Sequence, residues 1–292
     1  MPFCIMKLYF LGTGTSSGVP QIGCRCPVCR SDDPRDIRTR TSVLLETDDH
    51  RLVLIDCGPD FRQQMLRFIA THPQEGCGAS LPYTIRSVRE SRGVAVQQPY
   101  EYVMPLIDAV LITHEHYDHV GGLDDLRPFS VLQSIRICAE QNVAQSIRRN
   151  LFYCFSENPY PGSPHLTMQE IHVRQPFFIG SLKVEPLRVM HGRLPIVGFK
   201  IGNMAYITDM TNMPSDDMAQ LQGIRTLVVN ALRQEAHPTH QSIGEAIAFA
   251  RSTRAKSVYF IHMSHGAGLH SESEKALPEN FHFAYDGQEI EV

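Results

Sequence analysis

The 292-residue chain contains no tryptophan and has little excess charge, with 27 basic against 31 acidic side chains and a formal net charge of -4. This balance argues against a nucleic-acid partner, because such partners are bound through clustered Lys and Arg. The sequence also lacks apolar runs of about 20 residues, the length of a membrane span, and the basic and apolar regions of a signal peptide. It therefore predicts a soluble, cytoplasmic protein that does not associate with membranes.

Composition and length predict a folded protein with one domain. Hydrophobic residues make up 42% of the chain and charged residues 20%, which is ordinary for a globular protein and excludes disorder. We find no linker and no internal repeat, so we expect a single domain over residues 1–292. An irregular insertion is expected at about 73–104, where Gly, Pro, Ser and Arg recur with weak periodicity. The oligomeric state stays open, a homodimer included.

Predicted strands and helices alternate in both halves of the chain. The segments SVLLET and RLVLIDCG flank a polar turn and predict a hairpin. After it, Phe61, Met65, Leu66 and Ile69 follow helical spacing. Further on, TLVVNAL and SVYFIHM predict buried strands on either side of the helix SIGEAIAFARST. This order predicts an α/β fold in which sheets pack together and helices cover the outside.

The strongest functional signal is the run LITHEHYDHVGG, in which a predicted buried strand leads into a loop of polar side chains. His114, His116, Asp118 and His119 lie within six positions. Imidazole and carboxylate groups suit Zn, Mn or Fe. Four such ligands cannot all bind one ion through a short loop without strain. The spacing therefore predicts two adjacent ions that share further ligands from elsewhere in the chain.

The run THEHYDH resembles the H-x-H-x-D-H signature of the metallo-β-lactamase superfamily. The resemblance implies an αβ/βα sandwich of two mixed sheets flanked by helices, with a metal site at the sheet edge. It also implies that His191, Asp209 and His262, which each follow a later strand, complete the ligand set. Asp56, in VLIDCG, matches a position that holds the metal loop through hydrogen bonds.

The same resemblance implies how the ligands divide between the two ions, Zn or Mn. One ion would be held by His114, His116 and His191, the other by Asp118, His119 and His262, and Asp209 would bridge them. Two such ions lower the pKa of a shared water and neutralise charge on an attacked phosphoryl or acyl group. The sequence therefore predicts a metal-dependent hydrolase, with Asp118 among its catalytic residues.

A second metal site is predicted from the segment GCRCPVC. Cys24, Cys26 and Cys29 supply three thiolates, one short of a tetrahedral zinc site. His265, three residues beyond His262, is the expected fourth ligand. The remaining cysteines are scattered and are expected to be reduced, because the chain has no secretion signal. The segment and His265 together therefore predict one structural zinc site.

The segments GTGTSSGVPQIGCRCPVC and FIHMSH together resemble the phosphoribosyl cyclic phosphate phosphodiesterases of phosphonate breakdown, the PhnP-like enzymes. That resemblance implies a structural zinc of this composition and the opening of a cyclic phosphodiester on ribose. It also implies a histidine that acts as general acid. By position this residue corresponds to His240, with His237 as the nearest competitor.

The leading hypothesis is a dinuclear phosphodiesterase with a small cyclic ribose phosphate or nucleotide-like substrate. A tRNA 3′-processing-type endoribonuclease, a lactone or thioester hydrolase, and a non-catalytic metal sensor are the alternatives. The charge balance argues against the nuclease, and the complete set of candidate ligands argues against the sensor. Five further residues stay open as either substrate contacts or structural groups: Arg38, Arg40, Asp124, Asp125 and Arg127.

Overall fold

The computed structural model describes residues 6–72, 83–84, 103–130, 133–156 and 162–292. In these residues a first mixed sheet is built from β1 (Lys7–Gly12), β2 (Ser42–Glu46), β3 (Leu52–Ile55), β6 (Ile107–Leu111), β7 (Ile135–Ala139), β8 (Leu166–Glu170) and β16 (Glu289–Glu291). The strand order is β16-β1-β2-β3-β6-β7-β8. Pairs from β16 to β3 are antiparallel, whereas pairs from β3 to β8 are parallel.

The second mixed sheet repeats this pattern. It consists of β9 (Phe177–Ile179), β10 (Leu182–His191), β11 (Leu194–Ile201), β12 (Met204–Ile207), β13 (Thr226–Asn230), β14 (Ser257–Ile261) and β15 (Phe281–Phe283). The order is β15-β14-β13-β12-β11-β10-β9. Pairs from β9 to β12 are antiparallel and pairs from β12 to β15 are parallel.

Helices lie outside the two sheets. The described α-helices are α1 (Phe61–Thr71), α2 (Tyr117–Val120), α3 (Arg127–Ser130), α4 (Gln141–Asn150), α5 (Ser215–Ala219), α6 (Ile243–Thr253) and α7 (His270–Ser273). Short 3₁₀ turns include His265–Ala267. A capping box between Ser242 and Glu245 fixes the start of α6. In the described part of the chain, every helix is too short or too polar to cross a membrane.

Three apolar layers hold this arrangement together. The layer between the sheets joins Phe10 and Leu45 of the first sheet to Phe199 and Tyr206 of the second. The outer face of the first sheet packs on α1 and α4, and that of the second on α6. Because β3 is covered on both faces, its sequence LVLI is buried at every position. The predicted αβ/βα sandwich of two mixed sheets is confirmed.

Most of the predicted insertion at about 73–104 lies outside the described residues. Within it the structure gives one short antiparallel pair, β4 (Tyr83–Thr84) with β5 (Val103–Met104). The predicted hairpin is confirmed as β2 and β3, which pair antiparallel with Val43 opposite Ile55. The predicted helix is confirmed as α1.

Candidate metal centre

Three candidate site residues follow strand ends at one edge of the sandwich. Asp56 follows β3, Asp209 lies two residues beyond β12, and His262 follows β14. All three have left-handed backbones, with φ of +60°, +53° and +56°. A residue with a Cβ pays roughly 1–2 kcal/mol for this conformation. Such strain is stored mainly at functional sites, and here it turns each side chain away from its strand's path.

The loop after β6 is fastened to the turn after β3 by backbone contacts. The amide of Cys57 donates to the carbonyl oxygen of His119, and the amide of Gly122 donates to that of Cys57, both at 2.8 Å. A Cβ on Gly58 would lie 2.1 Å from the carbonyl oxygen of Asp118. Only glycine allows this approach, so the position of the metal loop is set by close backbone packing.

Asp56 orients the His119 ring through its Nδ1 atom. One oxygen of Asp56 lies 2.8 Å from His119 Nδ1, and the other accepts a hydrogen bond from the amide of Thr113 at 2.9 Å. The Thr113 hydroxyl donates to the same carboxylate at 3.0 Å. Because a carboxylate accepts, Nδ1 must donate, and Nε2 is left as the ring nitrogen that faces the site, where a metal ion would take the place of its proton.

A first group of ligand atoms surrounds His119 Nε2. This atom lies 3.2 Å from an oxygen of Asp118 and 3.3 Å from Asp209 Oδ1. His262 Nε2 lies 3.3 Å from the same Asp209 oxygen. The four donor atoms fall within 4.8 Å of one another. His119 Nε2 is buried without a hydrogen-bond partner among the described residues, which fits a site for a cation.

Asp209 Oδ2 takes part in two further groups. His114 Nε2 lies 3.0 Å from His116 Nδ1 and 3.8 Å from this oxygen, and the three residues form one group. His191 forms the other group with Asp209 and His240. The His191 ring lies with its centroid 5.3 Å from that of His116. The structure thus gathers all seven predicted catalytic ligands, although it places His191 beside His240 rather than in the His114 group.

The electrostatics of the first group favour a positive charge. Burial opposes ionisation of Asp209, but the charges of His262 and His119 hold its pKa well below the usual range. Burial likewise disfavours protonated His119, yet the carboxylates of Asp209, Asp56 and Asp118 raise its pKa well above normal. The carboxylates therefore outweigh the desolvation that a buried cation would suffer.

Sequence reasoning missed the group that holds His191 beside His240. The carbonyl oxygen of Thr239 accepts from His191 Nδ1 at 2.8 Å and from the hydroxyl of Thr211 at 2.7 Å. Because a carbonyl can only accept, His191 presents Nε2 to the site. Burial, followed by the nearby charge of His262, lowers the pKa of His240 to about 3. Threonines directly before histidines were the available signal, since Thr113 and Thr239 each precede a candidate residue.

The three loop cysteines converge on His265. Its Nδ1 lies 3.2, 3.3 and 3.6 Å from the sulfur atoms of Cys24, Cys26 and Cys29. A tetrahedral zinc with Zn–S of about 2.3 Å and Zn–N of about 2.0 Å would put sulfur and nitrogen about 3.6 Å apart. The amide of Cys29 lowers the pKa of the Cys26 thiol to about 6, whereas burial raises that of Cys29 to about 11. Three thiolates here thus require a cation among them.

Four of the five charged residues left open by the sequence have side-chain partners within the protein: Arg38, Arg40, Asp124 and Arg127. Arg38 is buried and donates to the Thr13 hydroxyl at 2.9 Å and to the Ala284 carbonyl at 2.6 Å, so it holds the fold together. Arg40 pairs with Asp60 at 3.0 Å. Two other residues form a surface network with Tyr153: Arg127 lies 2.7 Å from Asp124, which accepts from the tyrosine hydroxyl at 2.8 Å. Asp125 lies in a 3₁₀ turn between them.

Replacing Thr113 by valine is expected to weaken metal binding by about 10–100-fold, the usual cost of losing a group that orients a ligand. Valine keeps the shape but removes the hydroxyl that donates to Asp56. Competition against a chelator of known affinity measures the change. Thr253→Val is the matched control, since Thr253 is also fully buried and bonds a helix carbonyl at 2.7 Å away from the site. Equal affinities in both variants would contradict this role.

Residues 87–263 match the model of the "Beta-lactamase superfamily domain". The "Octanoyltransferase" of Porphyromonas gingivalis is 45% identical over 285 residues, which are 97% of this chain and 51% of that protein. The chain therefore spans about half the length of this relative.

Two solved structures resemble the whole chain. A "New Diphosphatase from the PhnP Family" gives a TM-score of 0.80 at 33% identity and covers 99% of this chain and 97% of its own. Zinc-bound PqqB from Methylobacterium extorquens gives 0.73 at 22% identity, covering 98% and 100%, which is a likeness of fold. The chain therefore belongs to the beta-lactamase superfamily, has the fold of its metal-dependent hydrolases, and resembles a PhnP-family enzyme over nearly its full length.

Proposed function

We propose that the protein is a dinuclear phosphodiesterase that hydrolyses a small cyclic phosphate of the ribose or nucleotide-like type. The observation that carries this proposal is the carboxylate of Asp209. Its Oδ1 faces His119 and His262, and its Oδ2 faces His114. One buried carboxylate shared by two groups of ligand atoms suits a pair of divalent ions, Zn or Mn.

Ions held at these groups would lower the pKa of a water and neutralise charge on the phosphoryl group. Hydrolysis forms a bond from phosphorus to the water oxygen and breaks the bond to the departing alkoxide oxygen, which then needs a proton. In our proposal His240 supplies that proton. Its Nδ1 lies 3.8 Å from Asp209 Oδ2, and His240 belongs to the group with His191 and Asp209.

His240 must take up a proton from solvent when substrate binds before it can act as a general acid. Its low pKa leaves the ring neutral at neutral pH in the free protein. A phosphodiester brings a negative charge next to the ring, and an adjacent negative charge raises the pKa of a histidine. General acid action is thereby limited to the substrate complex.

The structural likeness supports phosphorus chemistry. The PhnP-family protein is called a diphosphatase, and its likeness to this chain, at 33% identity, extends over nearly the whole length of both. Both a diphosphate and a cyclic phosphodiester contain a phosphorus atom bonded to two ester or anhydride oxygens. We therefore include a nucleoside diphosphate derivative among the substrates to be tested.

Replacing His240 by alanine is expected to slow the hydrolysis of a ribose cyclic phosphate by about 100-fold or more. The hydrolysis of an aryl phosphodiester should slow far less. Protonation matters for a ribose alkoxide, which is a poor leaving group, and matters little for nitrophenolate. The measurement is kcat and kcat/KM on both substrates with metal-replete protein. His237→Ala is the matched comparison, since the rings of His237 and His240 lie 5.2 Å apart. Equal losses on both substrates, or a selective loss only in the His237 variant, would contradict the assignment.

Acyl transfer is the second candidate. The Porphyromonas gingivalis relative is named an octanoyltransferase, although this chain matches only half of it. Because a pair of ions can also polarise an acyl carbonyl, a thioester hydrolase fits the same ligand set. Turnover of an octanoyl thioester, with no turnover of any phosphodiester, would favour this candidate over our proposal.

A further inference from the structure

The cysteine cluster (Cys24, Cys26, Cys29 and His265) is hydrogen-bonded to the loop that carries His240. The turn His265–Ala267 begins at Ser264, whose amide and hydroxyl both donate to the carbonyl oxygen of Leu232, at 2.8 and 3.0 Å. The Gln234 amide donates to the carbonyl of Gly266, and its side-chain amide donates to that of Ala267, both at 3.2 Å. Two loop residues are thus bound to the turn that contains the fourth ligand.

The same loop residues fix the position next to His240. The amide of Leu232 donates to the carbonyl of Gln241 at 2.9 Å, and that of Gln241 donates to the carbonyl of Met210 at 3.0 Å. Leu232 therefore bonds through its carbonyl to the cysteine-cluster turn and through its amide to the residue that follows His240. Hydrogen bonds through Leu232 thus connect Ser264, the neighbour of His265, with Gln241, the neighbour of His240.

We infer that Ser264 and Gln234 are positioning residues, through which the cysteine cluster holds His240 in its working place. The inference rests on the proposed function, in which His240 is the general acid. Zinc in the cluster would fix His265 and with it the turn, whereas loss of zinc would free the partners of Leu232 and Gln234. A proton donor displaced by about 1 Å loses much of its effect.

The path to His240 is distinct from the anchoring of the metal ligand His262. Met263, the next residue, donates to the carbonyl of Thr13 and accepts from the amide of Thr15, both at 3.0 Å. Ile261 lies in the sheet interior and accepts from Ala231 at 2.9 Å. Because backbone bonds on both sides hold His262, disturbing the turn should impair the acid step before it impairs metal binding.

Gln234→Leu is the first test, because Gln234 is exposed and the change should not unfold the protein. We expect turnover of a ribose cyclic phosphate to fall about three- to tenfold, with an aryl phosphodiester and the metal content nearly unchanged. Gln222→Leu is the control, since Gln222 is also exposed and donates its side-chain amide to a carbonyl at 2.9 Å, far from this path. Equal losses on both substrates would overturn the inference.

Gly266→Ala tests the path without removing a hydrogen-bonding group. A Cβ on Gly266 would lie 3.0 Å from Arg233 Cβ and 3.3 Å from the Ser264 hydroxyl, so the turn and the loop must move apart. Gly244→Ala is its control, because a Cβ there meets nothing within 4 Å. Gly266→Ala should slow the ribose cyclic phosphate more than the aryl phosphodiester, whereas Gly244→Ala should slow neither.

Hydrogen–deuterium exchange provides a readout that needs no substrate. Peptides covering residues 231–242 should exchange faster in Gln234→Leu and in Cys26→Ser, and the double variant should show little more than either alone. Unchanged exchange in this loop would overturn the inference even where kinetics change. If His240→Ala slowed both substrates equally, that would count against His240 as the general acid. The exchange result would still decide whether the cysteine cluster is coupled to the loop that carries His240.

Discussion

Replacing His116 by alanine is expected to remove one of the two proposed catalytic ions and to slow hydrolysis by about 1,000-fold or more, since an active-site ion contributes several kcal/mol to transition-state stabilisation. His116 is exposed, and its Nδ1 lies 3.0 Å from His114 Nε2. The change therefore deletes a ligand atom without opening a cavity in the core. Elemental analysis of the purified variant, together with kcat on the best substrate, measures both effects.

His282→Ala is the matched control for this variant. His282 is a partly exposed histidine that pairs with Glu274 at 3.2 Å, but it belongs to none of the groups of candidate ligand atoms among the described residues. It should retain the metal content and rate of the parent. If His116→Ala keeps the same number of ions and the same rate as the parent, the ligand assignment is wrong.

Replacing Cys26 by serine is expected to release the proposed structural zinc and to lower Tm by about 6–12 °C. Loss of a bound metal is among the most costly point-mutation effects, here roughly 3 kcal/mol, and each kcal/mol shifts Tm by about 2–4 °C in a chain of this size. A serine hydroxyl is a poor zinc ligand, whereas the Cys26 thiol ionises readily. Differential scanning calorimetry and zinc analysis give the two results.

The cysteine site should also keep its zinc under mild chelation that removes the catalytic ions, because thiolates bind zinc tightly. Cys154→Ala is the control, as Cys154 is a buried free cysteine outside the cluster. It should change Tm without changing the zinc content. A chelator-treated, reduced protein without zinc, or a Cys26→Ser variant that melts like the parent, would contradict the structural role.

The sequence predicted the architecture well because local patterns and burial agree in this fold. The alternation of strands and helices, the hairpin of β2 with β3 and the spacing of α1 are all local features, and all three are present. The histidine and cysteine motifs could likewise be located from spacing, since neighbouring residues in a short loop must be near one another.

The arrangement of the distant ligands could not be predicted from the sequence. Asp209, which has a left-handed backbone, offers its two oxygens to different groups, Oδ1 to His119 and His262 and Oδ2 to His114. His191 lies beside His240 because its ring bonds the backbone carbonyl of Thr239, the residue before His240, and a backbone carbonyl leaves no signal in the sequence. Such contacts depend on how loops that are distant in the sequence pack together, and local sequence patterns do not predict that packing.

Turnover by the metal-replete protein tests the central claim most directly. The panel should include a ribose cyclic phosphate, a bis-aryl phosphate, a nucleoside diphosphate derivative, precursor tRNA, a lactone and an octanoyl thioester, each assayed with Zn and with Mn. Our account predicts hydrolysis of the ribose cyclic phosphate, with two catalytic ions bound per chain besides the cysteine-bound zinc. Failure to hydrolyse any phosphodiester in the presence of those ions would contradict it.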